Sequence, residues 1–151
     1  MPKPRPMTTR PLSLYLAGPM TGMPDFNYPA FNAAAKRLRA DPRVAQLVNP
    51  AERFNGRTDL PHKTYIRAAL QAVKELYPGY WLHADHPARK RIARAIALLP
   101  GWTDSTGALA EVALAKALGY KLLDAETLSP LDVTLTAHVW NQKAAGKDES
   151  L

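Results

Sequence analysis

Short apolar runs that break off at glycine or proline, each followed by an apolar stripe at helical spacing, constrain this chain more than any other feature. The first run lies in LSLYLAGPMTG (residues 12–22), where Leu12, Leu14 and Leu16 alternate with Ser13, Tyr15 and Ala17 until Gly18 and Pro19 end the pattern. That two-residue period is the period of a strand. Beyond the loop, Asn27 stands at an N-cap position with Pro29 near the first helical position. Ala30, Phe31, Ala34, Ala35 and Leu38 then recur three and four residues apart, the stripe of an amphipathic helix. Asp41-Pro42 stops that helix, and residues 44–48 form a second short apolar run ending at Asn49-Pro50.

The alternation continues. The polar loop GRTDLPHK leads into a helix with Tyr65, Ile66, Ala69, Leu70, Val73 and Leu76 on one side, closed by Pro78-Gly79. Residues 95–99 are apolar without alternation and end at Pro100-Gly101, as expected of a central parallel strand covered on both faces. Residues 108–118 make a compact Ala/Leu helix with Gly119 as its stop, and residues 120–123 the next strand. Ser129 as N-cap and Pro130 as first residue open a last helix through about Trp140. Strands alternating with helices predict an α/β fold: a single-domain Rossmann-like (flavodoxin-like) parallel sheet with helices on both faces. Residues 1–11 read as a disordered basic Pro-rich arm, residues 12–143 as the α/β domain and residues 144–151 as a disordered tail.

Composition narrows the function classes. With 151 residues, 46% of them hydrophobic, the chain suits one compact core. The absence of cysteine excludes disulfides, a thiolate nucleophile and cysteine-ligated zinc; neither a metal nor a cofactor is expected. No apolar stretch approaches the roughly 20 residues of a membrane span, and the first residues lack the apolar centre of a signal peptide. A soluble, cytoplasmic protein with no membrane partner is expected. The net charge of +7 is spread between the arm (Lys3, Arg5, Arg10) and Arg89, Lys90, Arg91 and Arg94, without the interleaved aromatics that stack bases. Nucleic acid is therefore not the expected partner, and an anionic small molecule accounts for the same charge.

In open parallel sheets, ligands bind outside the carboxyl ends of the strands, which here carry the loops AGPMTG, NPAERFNG and PGWTDSTG. Gly18 and Gly22 remove side chains where a ligand would approach the backbone; an ordinary turn explains them equally. Ser105, Thr106 and Gly107 precede a helix, where unpaired N–H groups and the helix dipole favour a phosphate or carboxylate, unless Ser105 or Thr106 is simply the cap. Glu111 shares a helical face with Leu114, Ala115 and Leu118. A carboxylate on an apolar face is costly to bury, which makes it a candidate nucleophile or general base; the alternative is a first-turn glutamate favoured by the dipole.

These segments together resemble the nucleoside 2-deoxyribosyltransferase superfamily, and more closely a phage and bacterial branch labelled DUF4406. The resemblance spans residues 12–123 and is carried by YLAGPMTG, the Phe26-Asn27 pair, VNPAE and ALLPGWTDSTGALAEVALAKALGY. It implies that Glu111 is the glutamate that attacks C1′ of a 2′-deoxynucleoside, with Tyr15 orienting it. By the same matching, Ala17, Gly18, Pro19 and Met20 line the base and sugar pocket, with Asn27 and Asp104 among the substrate-binding residues. Ser105 and Gly107 would hold a hydroxyl or a 5′-phosphate, and Trp102 would wall the pocket. The chain departs from the branch at two points: Ala69 and Arg94 stand where acids that serve the leaving base are usual, with an insertion at residues 73–90 between them. Two readings follow, an enzyme acting on the N-glycosidic bond of 2′-deoxynucleosides or their 5′-monophosphates, and a nucleotide-binding protein without turnover. The resemblance also implies a homo-oligomer, for which a last helix bearing Leu131, Leu135, His138 and Val139 would offer an interface.

Overall fold

The structure, a computed structural model, describes residues 11–76 and 92–131. The arm, the tail, residues 77–91 and the expected body of a last helix lie outside them. Four strands, β1 (Leu12–Ala17), β2 (Val44–Val48), β3 (Ala93–Leu98) and β4 (Lys121–Asp124), form one parallel sheet in the order β2-β1-β3-β4. Among the described residues three α-helices connect or follow them: α1 (Tyr28–Arg39), α2 (His62–Lys74) and α3 (Thr106–Ala117).

The chain runs outward from β1 to β2, returns across β1 to β3, and continues to β4. Right-handed crossovers place helices on opposite faces when the direction of travel reverses. Burial agrees with this. Phe31, Ala34, Ala35 and Leu38 of α1 pack with Leu14, Leu16, Ala95 and Ala97, whereas Ala72 and Val73 of α2 and Val112 and Ala115 of α3 pack with Tyr15, Ala17, Ile96 and Leu98. Both inner strands are thus covered on both sides, which is why β3 reads as an unbroken apolar run. The strand order reverses between β1 and β3, and a crevice lies at the carboxyl ends of the strands beside that switch.

Tyr120, just ahead of β4, ties the sheet to α2. Its hydroxyl donates toward the carbonyls of Val73 and Leu76, at and just past the end of α2, at 3.0 and 3.3 Å. The Arg94 guanidinium lies 5.3 Å from the centre of the Tyr120 ring, a cation–π distance. Ala93 N–H donates to Pro11 C=O at 2.8 Å, fixing the start of β3.

Several local expectations are corrected. α2 ends at Lys74 with Glu75 as its C-cap, so Leu76 lies just past the helix expected to carry it; Pro78-Gly79 lie outside the described residues. Ala30 and Leu118 are exposed, outside the buried faces expected for them. Ser129 and Pro130 do not open a helix: Pro130 forms an antiparallel bridge with Leu123, and Leu131 N–H donates to Leu122 C=O. The Asp124 carboxylate accepts from the amides of Glu126 and Thr127 and turns the chain back along β4, so a sheet-edge pairing outcompetes the local capping signal. Asn27 occupies the N-cap position of α1 at φ 59° without capping it; its side chain donates instead to Pro19 C=O at 2.9 Å. Among the described residues no helix is long and apolar enough to cross a membrane.

Candidate functional site

The crevice at the switch in strand order is a cavity of about 340 Å³. Its chemistry centres on two side chains held by regular structure. Tyr15, on β1, is fully buried because both neighbouring strands and the α2–α3 layer enclose it. Tyr15 lines the cavity, and its hydroxyl approaches Glu111 without reaching good hydrogen-bond geometry. Glu111, on α3, is 6% exposed and also lines the cavity. It lies one turn from Ala108 and one from Ala115, both buried, so its helix face offers methyl groups where water would otherwise solvate the carboxylate.

Burial pushes the Glu111 carboxyl up to about 8, opposed in part by the Tyr15 hydroxyl. The Tyr15 phenol is itself raised well above its ordinary value, chiefly by burial and then by the charge of Glu111, while Arg53 pulls it back. Among the described residues no cation pairs with Glu111. A carboxyl so placed holds its proton at pH 7 and is poised to ionise against a developing positive charge.

Loops complete the walls. Ser105 is the N-cap of α3, its Oγ accepting the Ala108 amide at 3.1 Å, and with Thr106 and Gly107 it lines the cavity. A Cβ on Gly107 would stand 3.1 Å from Ile66 Cδ1, so this glycine lets α2 and α3 approach. Met20, Gly18 and Asp104 also line the cavity. The expected reason for bare glycines needs correcting, however: a Cβ on Gly18 would meet Leu99 Cβ at 2.8 Å, and Gly22 sits away from the cavity in a turn at φ +84°. Packing of the loops after β1 and β3 thus removes the Gly18 side chain. Gly18→Ala is expected to cost about 1–3 kcal/mol through that clash, read as a lower urea midpoint; an unchanged midpoint would mean that the loop yields freely.

Ala17, Pro19, Asn27 and Trp102 are not on the cavity wall. Ala17 is core, its carbonyl accepting the Leu99 amide. Trp102, half-buried, packs against the α2–α3 side of the core because Gly101, at φ +85°, turns the chain into a 3-10 turn at Trp102–Asp104. Asn27 acts one step back, through Pro19. It ends three successive residues, Asp25, Phe26 and Asn27, with left-handed backbone and no glycine among them, a conformation that costs energy and persists only where the surroundings impose it.

Residues not singled out by sequence reasoning supply much of the wall. Phe26, Tyr28, Phe54 and Tyr65 pack ring to ring, with centroids 4.9 Å apart for Phe26–Tyr65 and Phe54–Tyr65 and 5.6 Å for Phe26–Tyr28. Both tyrosine hydroxyls donate to Arg57 C=O, at 2.8 and 3.1 Å, so this side offers aromatic carbon to a flat ligand. Ala69, where the resemblance expects an acid, lies on the wall, whereas Arg94 does not. Arg53, in the loop NPAERFNG, and His62, 3.3 Å from Thr21 Oγ1, bring basic side chains to the cavity. The only hint of Arg53 in the sequence was that its loop follows a strand. Among the described residues, no three His, Asp or Glu side chains come together in a way that would hold a metal ion.

No curated protein and no solved structure matches the chain. One family matches residues 12–124, well over half of the chain, under the description "Domain of unknown function (DUF4406)". With its sheet, its crevice and its loop glycines all inside that span, the chain belongs to the DUF4406 family.

Proposed function

We propose that the protein cleaves or exchanges the N-glycosidic bond of a 2′-deoxynucleoside or its 5′-monophosphate, with Glu111 as nucleophile. The observation that carries this reading is the carboxyl of Glu111, buried without a cation beside the buried phenol of Tyr15 on the wall of a switch-point cavity. The ionised carboxylate attacks C1′ as the C1′–N bond breaks; the electron pair leaves with the base nitrogen, which takes up a proton. A deoxyribosyl ester on Glu111 remains. Attack on C1′ by a second base, or by water, then frees the carboxylate. The transition state resembles an oxocarbenium ion, which an adjacent carboxylate stabilises most where water is excluded. Tyr15 supports Glu111 in that charged form, since a phenol donating to a carboxylate favours ionisation. The aromatic side formed by Phe26, Phe54 and Tyr65 suits the face of a base, and the start of α3 suits a hydroxyl or phosphate. An assembly of two or more copies belongs to the same reading.

A second reading, nucleotide binding without turnover, is favoured by Ala69 on the cavity wall and by a Glu111 that keeps its proton to about pH 8. One experiment separates the two. The protein is incubated with deoxynucleosides and deoxynucleoside monophosphates, with and without a second free base, and free and exchanged bases are followed by liquid chromatography. Base release or exchange is expected. Intact recovery of every substrate would remove the enzymatic reading and leave the binder.

A further inference from the structure

Arginines on the same stretch of chain as Arg53 differ from it in what holds them. Arg39 grips Glu52 through two contacts of 2.6 and 2.9 Å, Arg43 grips Asp41 at 2.7 Å, and Arg57 grips Asp59 at 3.0 Å. Each is answered by a carboxylate. Arg53 has no ion pair among the described residues, although Glu52 is its neighbour in the chain, because Arg39 reaches from α1 and takes both oxygens of that glutamate. Arg53 lies on the cavity wall, close enough to Tyr15 for its charge to favour loss of the phenol proton.

The loop that carries Arg53 is fixed. Asn49, 3% exposed, accepts the Ala51 amide at 3.1 Å and donates to Asn32 Oδ1 at 3.0 Å, while Arg39 also donates to Leu47 C=O at 3.3 Å. On the same cavity stand Thr106 and Gly107, whose amides open α3 and have no intrahelical acceptor. Asp104, also on the wall, is engaged in an interaction of its own. A guanidinium fork and a helix start on one cavity suit a compact dianion better than a neutral hydroxyl. A volume of about 340 Å³ sits at the small end of ligand pockets, the scale of one nucleotide and not of two.

We infer that Arg53 is a specificity-determining residue that selects a phosphate monoester on the ligand, so that the cavity takes a nucleoside 5′-monophosphate in preference to the nucleoside. This rests on the nucleotide site proposed above but not on turnover there. The phosphate is held by the Arg53 guanidinium and the first amides of α3, while the base lies toward the aromatic rings.

The test is calorimetry at low salt on the full chain and on Arg53→Gln, with a deoxynucleoside, its 5′-monophosphate and inorganic phosphate as titrants, and with each ligand checked for integrity afterwards. The native protein is expected to bind the monophosphate about 10- to 100-fold more tightly than the nucleoside, the range of one charge-assisted bidentate contact. Arg53→Gln should lose most of that preference while keeping its affinity for the nucleoside within about twofold, and the native preference should shrink as salt is added. Arg53 is exposed, so the variant is expected to fold. Equal affinity of the native protein for both ligands would overturn the inference, as would equal weakening of both by Arg53→Gln. Inorganic phosphate binding as tightly as the monophosphate would also overturn it, by assigning Arg53 to a free-phosphate site. If the preference is found but no base is ever released, the glycosidic reading falls and the role of Arg53 stands; if neither nucleoside nor monophosphate binds, both fall.

Discussion

Glu111→Gln is expected to stabilise the protein by about 4–5 kcal/mol at pH 9 relative to the native chain and to change its stability little near pH 4. The folded carboxyl keeps its proton to about pH 8, whereas in the unfolded chain it loses it near 4.5. Between those values the folded state binds more protons. Stability from this group is therefore fully present below about pH 4.5, falls by about 1.4 kcal/mol per pH unit as pH rises, and is lost once pH passes about 8. Glutamine has nearly the same shape and cannot ionise, so it escapes that loss. Any fixed cost of the amide displaces the whole curve equally, which leaves the widening gap between the two proteins as the diagnostic. Thermal unfolding at pH 5, 7 and 9 reads it directly, with a separation of roughly 15 °C at the alkaline end for a domain of this size. Parallel curves would mean that Glu111 ionises like a hydrated carboxyl.

If base release is found, Glu111→Ala is expected to reduce it by ~10³-fold or more, as removal of a covalent nucleophile does. Its pH profile follows from the same burial. Only the ionised carboxylate attacks, so kcat/KM, which reports the free enzyme, should rise tenfold per pH unit below about 8 and level off above it. Tyr15→Phe removes the donor that lowers the Glu111 pKa, so the rising limb should move to higher pH. That displacement separates a positioning role from simple packing, since a phenylalanine fills the same space. Full activity in Glu111→Ala would end the assignment. A limb near pH 4–5 would show instead that a different, hydrated carboxylate is at work.

Local chemistry made most of the fold legible. The runs at residues 12–17, 44–48, 95–99 and 120–123 match the strands β1 to β4 to within two residues at either end, because apolar period and Gly/Pro punctuation act over a few residues. The burial of Glu111 was legible in part: Ala115, one turn on, is buried with it, whereas Leu118, expected on the same face, is exposed. What escaped depends on strand order. Phe26, Phe54 and Tyr65 come from three separate segments, and no local pattern says that the loops after β1 and β2 converge with α2. Gly18 was read as space left for a ligand because Leu99, which occupies that space, lies 81 positions away. Asn27 and Ser129 carry genuine capping chemistry, but Pro19 C=O claims the Asn27 side chain and the bridge to β4 claims the backbone beside Ser129. A capping propensity of about 1 kcal/mol does not withstand such tertiary demands.

The hydroxyl of Tyr120 on the last carbonyls of α2, and the Ala93 amide on Pro11, have a consequence for how this domain can diversify. The exit from α2 is moored to the β4 side of the sheet, and the entry to β3 is moored to the start of β1. Neither mooring uses the chain between Leu76 and Ala93. A change of length there is expected to leave Ile66 and Ala69 in place on the cavity wall, so that the chemistry at Tyr15 and Glu111 keeps its geometry.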